Sequence, residues 1–118
     1  MNKLTKSNIF LTAFIIVSLF TATFAQTAGL PKIRKGETYK SVRVKMIKAG
    51  WKAAPTSEGG KCFDGDERCK GRLEVEVCAG AGAMAACQFR WKRKGKVVII
   101  WTSGESSSNT VYDYKFEK

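Results

Sequence analysis

The chain has 118 residues, with 21 Lys plus Arg against 10 Asp plus Glu, no histidine and four cysteines. That length is one small domain, and a chain without histidine builds neither a Ser-His or Cys-His nucleophilic pair nor a zinc site that needs imidazole. The 44% hydrophobic content excludes a wholly disordered chain.

Lys3 and Lys6 open the chain, an apolar stretch runs from Ile9 to Phe20, and small residues stand at Thr23 and Ala25. A positive start, an apolar middle and a small-x-small end predict a secretory signal peptide over residues 1–25, cut before Gln26. The apolar stretch is shorter than the roughly 20 residues of a membrane-spanning helix. The first cysteine is Cys62, far from the cut, which argues against a lipoprotein anchor. The mature product is therefore expected to be periplasmic or secreted and not membrane-spanning. Cleavage removes two lysines and no acid, leaving 19 basic and 10 acidic residues, a formal charge of +9. Four cysteines in a short exported chain predict two disulfides.

Residues 26–35 read as an extended segment around Pro31, and residues 36–118 as a single domain. Tyr39, Val42, Met46 and Ala49, with Ile47 alongside, recur at spacings of three and four, a helical face. Glu37 and Thr38 supply an acid and a cap at its start, and Gly50 a left-handed stop that lets Trp51 fold back onto Met46. Residues 52–71, with Pro55 and several glycines, predict an irregular polar loop holding Cys62 and Cys69.

Strict alternation at 73–77 predicts a half-buried strand with Leu73 and Val75 inward. An Ala/Gly connection over 79–86 leads to an alternating strand at 88–92, with Phe89 and Trp91 inward. Arg93-Lys94-Gly95 reads as a tight turn. Residues 97–101 are apolar on both faces, as in a central strand, and residues 110–116 alternate again. The expected fold is α+β: one N-terminal helix packed on an antiparallel sheet of about four strands, stabilised by disulfides.

If Leu73, Val75, Phe89 and Trp91 all face inward, the first two strands pair Glu76 with Arg90 and Glu74 with Lys92 on the solvent face. That register puts Cys78 outward and Cys87 inward, so a Cys78–Cys87 disulfide needs a bulge. Cys62–Cys69 and Cys78–Cys87 are still the expected pairs, because both loops are local, although four cysteines allow three pairings.

Three features are candidates for function. Arg90, Lys92, Arg93, Lys94 and Lys96 crowd one hairpin beside Trp91 and Trp101, and could hold an anionic cell-envelope polymer or nucleic acid. A solvated, aggregation-resistant sheet edge explains the same lysines. The loop from Cys62 to Cys69 carries Phe63, Asp64 and Asp66. Its acids resemble the opening of a calcium loop, but it is too short and lacks the terminal acid. As a rigid protruding loop it suits recognition of a partner protein. The double apolar face of 97–101 leaves Val97, Ile99 and Trp101, or Val98 and Ile100, to face away from the helix. There the N-terminal segment could cover them, or a partner could. For catalysis, Glu74 and Glu76 lie on one strand face but without an evident apolar pocket, and Ser106, Ser107 and Ser108 have no histidine base. No enzyme activity, metal or cofactor is expected.

The stretch Gly36-Glu37-Thr38-Tyr39-Lys40-Ser41-Val42, running through an apolar helix to Gly50-Trp51 and then into strands rich in tryptophan and tyrosine, resembles small exported modules of the β-lactamase-inhibitor-protein type, and outer-membrane assembly lipoproteins of related shape. The resemblance implies helical structure on one side of an antiparallel sheet and protein binding on the other. A single helix, a single module and the cysteine-closed loop depart from that pattern, so β-lactamase inhibition and its contact residues do not carry over. The function expected is a small exported non-catalytic binding protein, a protein-interaction or inhibitor-like module for an exported or cell-envelope protein.

Overall fold

The computed structural model describes residues 29–118, so the signal peptide expected over residues 1–25 lies outside the described residues. Among the described residues one α-helix, α1 (Tyr39–Lys48), precedes five strands: β1 (Lys52–Ala53), β2 (Val75–Ala79), β3 (Ala86–Arg93), β4 (Lys96–Ser103) and β5 (Thr110–Phe116). The fold is α+β, with two corrections to the expectation. The helix starts 38 residues into the chain rather than at its N-terminus, and the antiparallel sheet has five strands rather than four.

The helix begins and ends where its residues require. Thr38 is the N-cap, its side chain accepting from the Ser41 N–H at 3.3 Å. At the other end Gly50 takes φ 85°, its N–H bonds to the Ile47 carbonyl, and the Trp51 N–H bonds to the Met46 carbonyl at 3.0 Å. These paired bonds satisfy carbonyls that the last turn would otherwise leave open. Tyr39, Val42 and Met46 are buried against Phe89, Trp91, Val98, Ile100 and Val111 of the sheet. Ile47 turns to solvent, as the 3.6-residue period demands once Val42 and Met46 face the core.

β2, β3, β4 and β5 form three consecutive hairpins. The 52–71 segment is not wholly irregular, because β1 pairs with β3 at Lys52–Lys92 and Ala53–Trp91. β2 pairs with the other half of β3, so two short strands share one edge. The segment before the helix lies on the helix side. Ile33 joins the core, the Lys45 ammonium donates to the Lys32 carbonyl at 3.1 Å, and the Trp51 indole N–H donates to the Gly29 carbonyl at 3.2 Å. Its described residues therefore do not cover the outer face of β4.

The expected β2–β3 register is overturned. Val75 opposes Phe89, but Val77 opposes Gln88, with a bulge between them. One extra residue reverses the inside-outside parity. Cys78 thereby comes directly opposite Cys87, and both expected disulfides, Cys62–Cys69 and Cys78–Cys87, are present. The strand also starts at Val75 instead of 73. Leu73 and Glu74 lie in a turn closed by the Val75 N–H to the Arg72 carbonyl, which sends Leu73 out (73% exposed) and Glu74 in (1% exposed). Neither expected charge pair, Glu76–Arg90 nor Glu74–Lys92, forms.

Glu74 instead becomes the centre of a buried network. Its carboxylate accepts from the Tyr39 hydroxyl at 2.8 Å and the Arg43 Nε at 2.7 Å, and the Trp91 indole N–H donates to the Tyr39 oxygen at 3.1 Å. Burial first, and then the Glu74 charge, hold the Tyr39 phenol well above its ordinary pKa, so it stays a donor. The Arg72 guanidinium lies 5.0 Å over the Tyr39 ring and donates to the Asn109 side chain. Helix, sheet and the β4–β5 turn are thus joined by charge as well as by apolar packing.

Candidate binding surface

Residues 62–69 form a disulfide-closed loop set against the end of β2. Both carboxylate oxygens of Asp66 face Arg68, at 2.9 Å to its Nε and 2.8 Å to its Nη2. The same guanidinium donates to the Ala79 and Gly80 carbonyls, at 3.1 and 3.2 Å. Within the loop Asp66 is therefore occupied by Arg68, Glu67 lies 3.8 Å from Lys70 just beyond it, and Asp64 is exposed, so the arrangement around Asp66 is a clamp rather than a calcium cradle. The Asp66 carboxylate and the sulfurs of Cys69 and Cys78 lie within 4.8 Å of one another, so the two disulfides sit side by side beneath the loop. Both sulfurs are oxidised and do not form a thiolate donor set.

Arg68 holds the Asp66 carboxyl below its usual range, against the opposing push of burial. A carboxyl depressed in the folded state stabilises above its unfolded pKa, and loses that contribution as pH falls through the folded value. The urea midpoint should therefore be flat above about pH 5 and fall below about pH 4. Asp66→Asn should reduce that fall, as read from urea titrations between pH 2 and 6. Glu37 titrates in the same direction, since burial raises its pKa but Lys45, the Arg34 N–H and Ser41 more than offset this.

With Asp66 clamped, the loop presents Phe63, which is 81% exposed, beside the exposed Asp64. Phe63 lines a cleft of about 190 Å3 together with Asp66, Val77 and the disulfide atoms of Cys69 and Cys78. Val77, 49% exposed, opposes Gln88, and Gln88 opposes Trp101, which opposes Asp113. Opposed residues share a face, so a row runs across the outer sheet from the cleft through Trp101 to β5. The bulge creates this continuity by turning Val77 outward. Sequence patterning missed Val77 for that reason.

The outward set on β4 is Val97, Ile99 and Trp101, while Val98 and Ile100 are fully buried. Charged side chains cover part of that stripe. Arg90 reaches Glu117 at 2.8 Å and the Ala54 carbonyl at 2.7 Å, and the Lys115 ammonium stands 5.4 Å over the Trp101 ring. Trp101 is consequently half-buried, and Phe63 is the more open anchor.

Of the hairpin cations, Lys92, Arg93 and Lys94 line one cleft with Lys52 of β1. Arg90 lies further along the same outer face as Lys92, and Lys96 opposes Arg93. The Arg93 guanidinium lies against Gly29, where it leaves no room for a Cβ. Lys52, read in the sequence as loop, is the cation that patterning missed. It carried no signal because a two-residue strand has no period to detect. The two glutamates considered for acid-base work are also separated. Glu74 is buried on Arg43 and Tyr39, while Glu76 accepts from the Thr56 N–H at 2.7 Å and from the Thr56 hydroxyl.

The two disulfides fit an oxidising extracellular or periplasmic location. Comparison of the chain with protein families, with characterised proteins and with solved structures finds no match.

Proposed function

We propose that this chain is a small exported non-catalytic module that binds another exported or cell-envelope protein through the 62–69 loop and the adjoining outer sheet face. The observation that carries the reading is Phe63, a large apolar side chain 81% exposed next to Cys62 in a loop closed by a disulfide and clamped by Asp66 and Arg68. An exposed aromatic on a pre-ordered loop loses little conformational freedom on binding, and aromatic anchors seated in a partner's pocket dominate interface energies. The continuous row through Val77 and Trp101 enlarges the contact beyond one side chain. A helix on one face and binding on the other is also the division implied by the resemblance to inhibitor-type modules.

The test is affinity capture from the exported fraction at two salt concentrations, with quantitative mass spectrometry. A partner held by the wild type should be retained at both concentrations. Phe63→Ala should weaken its capture by more than about tenfold, as expected for a hot-spot aromatic, without changing the melting temperature. Trp101→Ala should give a smaller loss. Capture that is unaffected by Phe63→Ala, or that disappears at the higher salt, rejects the reading.

A further inference from the structure

We propose a second and separate site where β1 meets the β3–β4 turn, built to hold the phosphate groups of a polyol- or sugar-phosphate polymer. β1 sets Lys52 directly opposite Lys92, and Lys94 follows in the turn. With Arg93 and the small residues Gly50, Ala53 and Ala54, they line a cleft of about 500 Å3 that no carboxylate borders.

Two features of this end oppose stability. Like charges on directly opposed residues destabilise a strand pair, and β1 recovers nothing by burial, since both of its residues are exposed. In the turn, Lys94 has φ 47° and Gly95 φ 75°, the two left-handed residues of a type I′ hairpin. Asn is the ordinary choice for the first of these positions, and among the described residues Lys94 is the one non-glycine with positive φ. Backbone costs of this kind gather at ligand sites. A phosphate bound between the ammonium groups converts their repulsion into attraction.

The lining selects the ligand class. Lysines bind phosphate as point charges, whereas recognition of single-stranded nucleic acid rests on aromatic rings that stack the bases. No aromatic residue borders this cleft. A second cationic hollow of about 510 Å3 lies along the segment before the helix, lined by Lys32, Arg34, Lys35 and Lys45, with Glu37 paired to Lys45. The chain from Gly29, packed on Arg93, to Arg34 spans at most about 17 Å. A polymer with repeating phosphates reaches both hollows, which a single ion does not.

The experiment is calorimetric titration of the oxidised protein with inorganic tripolyphosphate, then with poly(glycerol phosphate) and oligothymidylate of matched charge. Tripolyphosphate should bind the wild type. Lys52→Gln/Lys92→Gln should weaken it about tenfold, and Lys94→Asn about threefold. Lys94→Asn should also raise the melting temperature, because Asn suits the turn, so weaker binding there is not a folding defect. The control Lys40→Gln/Lys48→Gln, two exposed helix positions, removes the same charge and should leave affinity within about twofold. No tripolyphosphate binding, or equal weakening by the control, overturns the site. Tighter binding of oligothymidylate than of poly(glycerol phosphate) overturns the ligand class.

Discussion

Reduction of both disulfides is expected to lower the unfolding free energy by about 5 kcal/mol, which is as much as a domain of this size commonly has in total. Cys62–Cys69 closes a sequence separation of 7 and Cys78–Cys87 one of 9. Loops of that length restrict the unfolded chain by about 2–3 kcal/mol each. Cys78–Cys87, which closes the slightly longer loop, should be marginally the costlier to lose. Cys69 and Cys87 are both buried in the core, while Cys62 and Cys78 are half-buried, so replacing either pair with Ala also opens space against its neighbours. The sulfurs of Cys69 and Cys78 are within 4.8 Å, and contacts that close are not energetically independent. The Cys62→Ala/Cys69→Ala and Cys78→Ala/Cys87→Ala pairs, studied separately and together by urea unfolding, should therefore give non-additive losses. Oxidised and reduced protein with the same urea midpoint would refute this account of the fold's stability.

Glu74→Ala should cost about 3 kcal/mol, the lower end of the range for removing one partner of a buried ion pair. Two groups lose their acceptor at once. The Tyr39 hydroxyl is fully buried and has no water to replace the carboxylate, while Arg43 is partly exposed and recovers some hydration, which limits the cost. For a domain of this size the loss corresponds to about 12–24 °C in melting temperature. Tyr39→Phe should cost less, about 1–3 kcal/mol, because Glu74 keeps Arg43 and only the Trp91 N–H is left without an acceptor. Replacing the ion pair outright, as Arg43→Met/Glu74→Leu, should recover much of the Glu74→Ala loss. The measurement is thermal unfolding by circular dichroism with the double-mutant cycle. A Glu74→Ala cost below about 1 kcal/mol would show that apolar packing alone holds the helix to the sheet.

The two ends of the molecule offer partners different physics. At the loop end Asp66 is paired internally with Arg68 and an aromatic ring is left exposed, which favours salt-tolerant contact with a protein. At the β1 end lysines face lysines without a carboxylate, which favours an anion and a strong dependence on salt. Phe63→Ala and Lys52→Gln/Lys92→Gln are therefore expected to act independently, each leaving the other end's binding unchanged.

Local structure was legible in the chain alone. The helix from its Thr38 cap to its Gly50 stop, the three hairpins and both cysteine pairings each depend on periodicity, caps, turn residues or short loops, all of which lie within about ten residues of each other. Three-dimensional packing was needed to settle which face each side chain takes in β2, that Lys52 meets Lys92, and that Phe63, Val77 and Trp101 form one surface. The reason is parity. A single bulged residue at Glu76 reverses every later inside-outside assignment along the strand. A turn at Leu73 and Glu74 exposes the leucine and buries the glutamate, because Tyr39 and Arg43, 35 and 31 residues away, supply the partners that offset the cost of burying its charge.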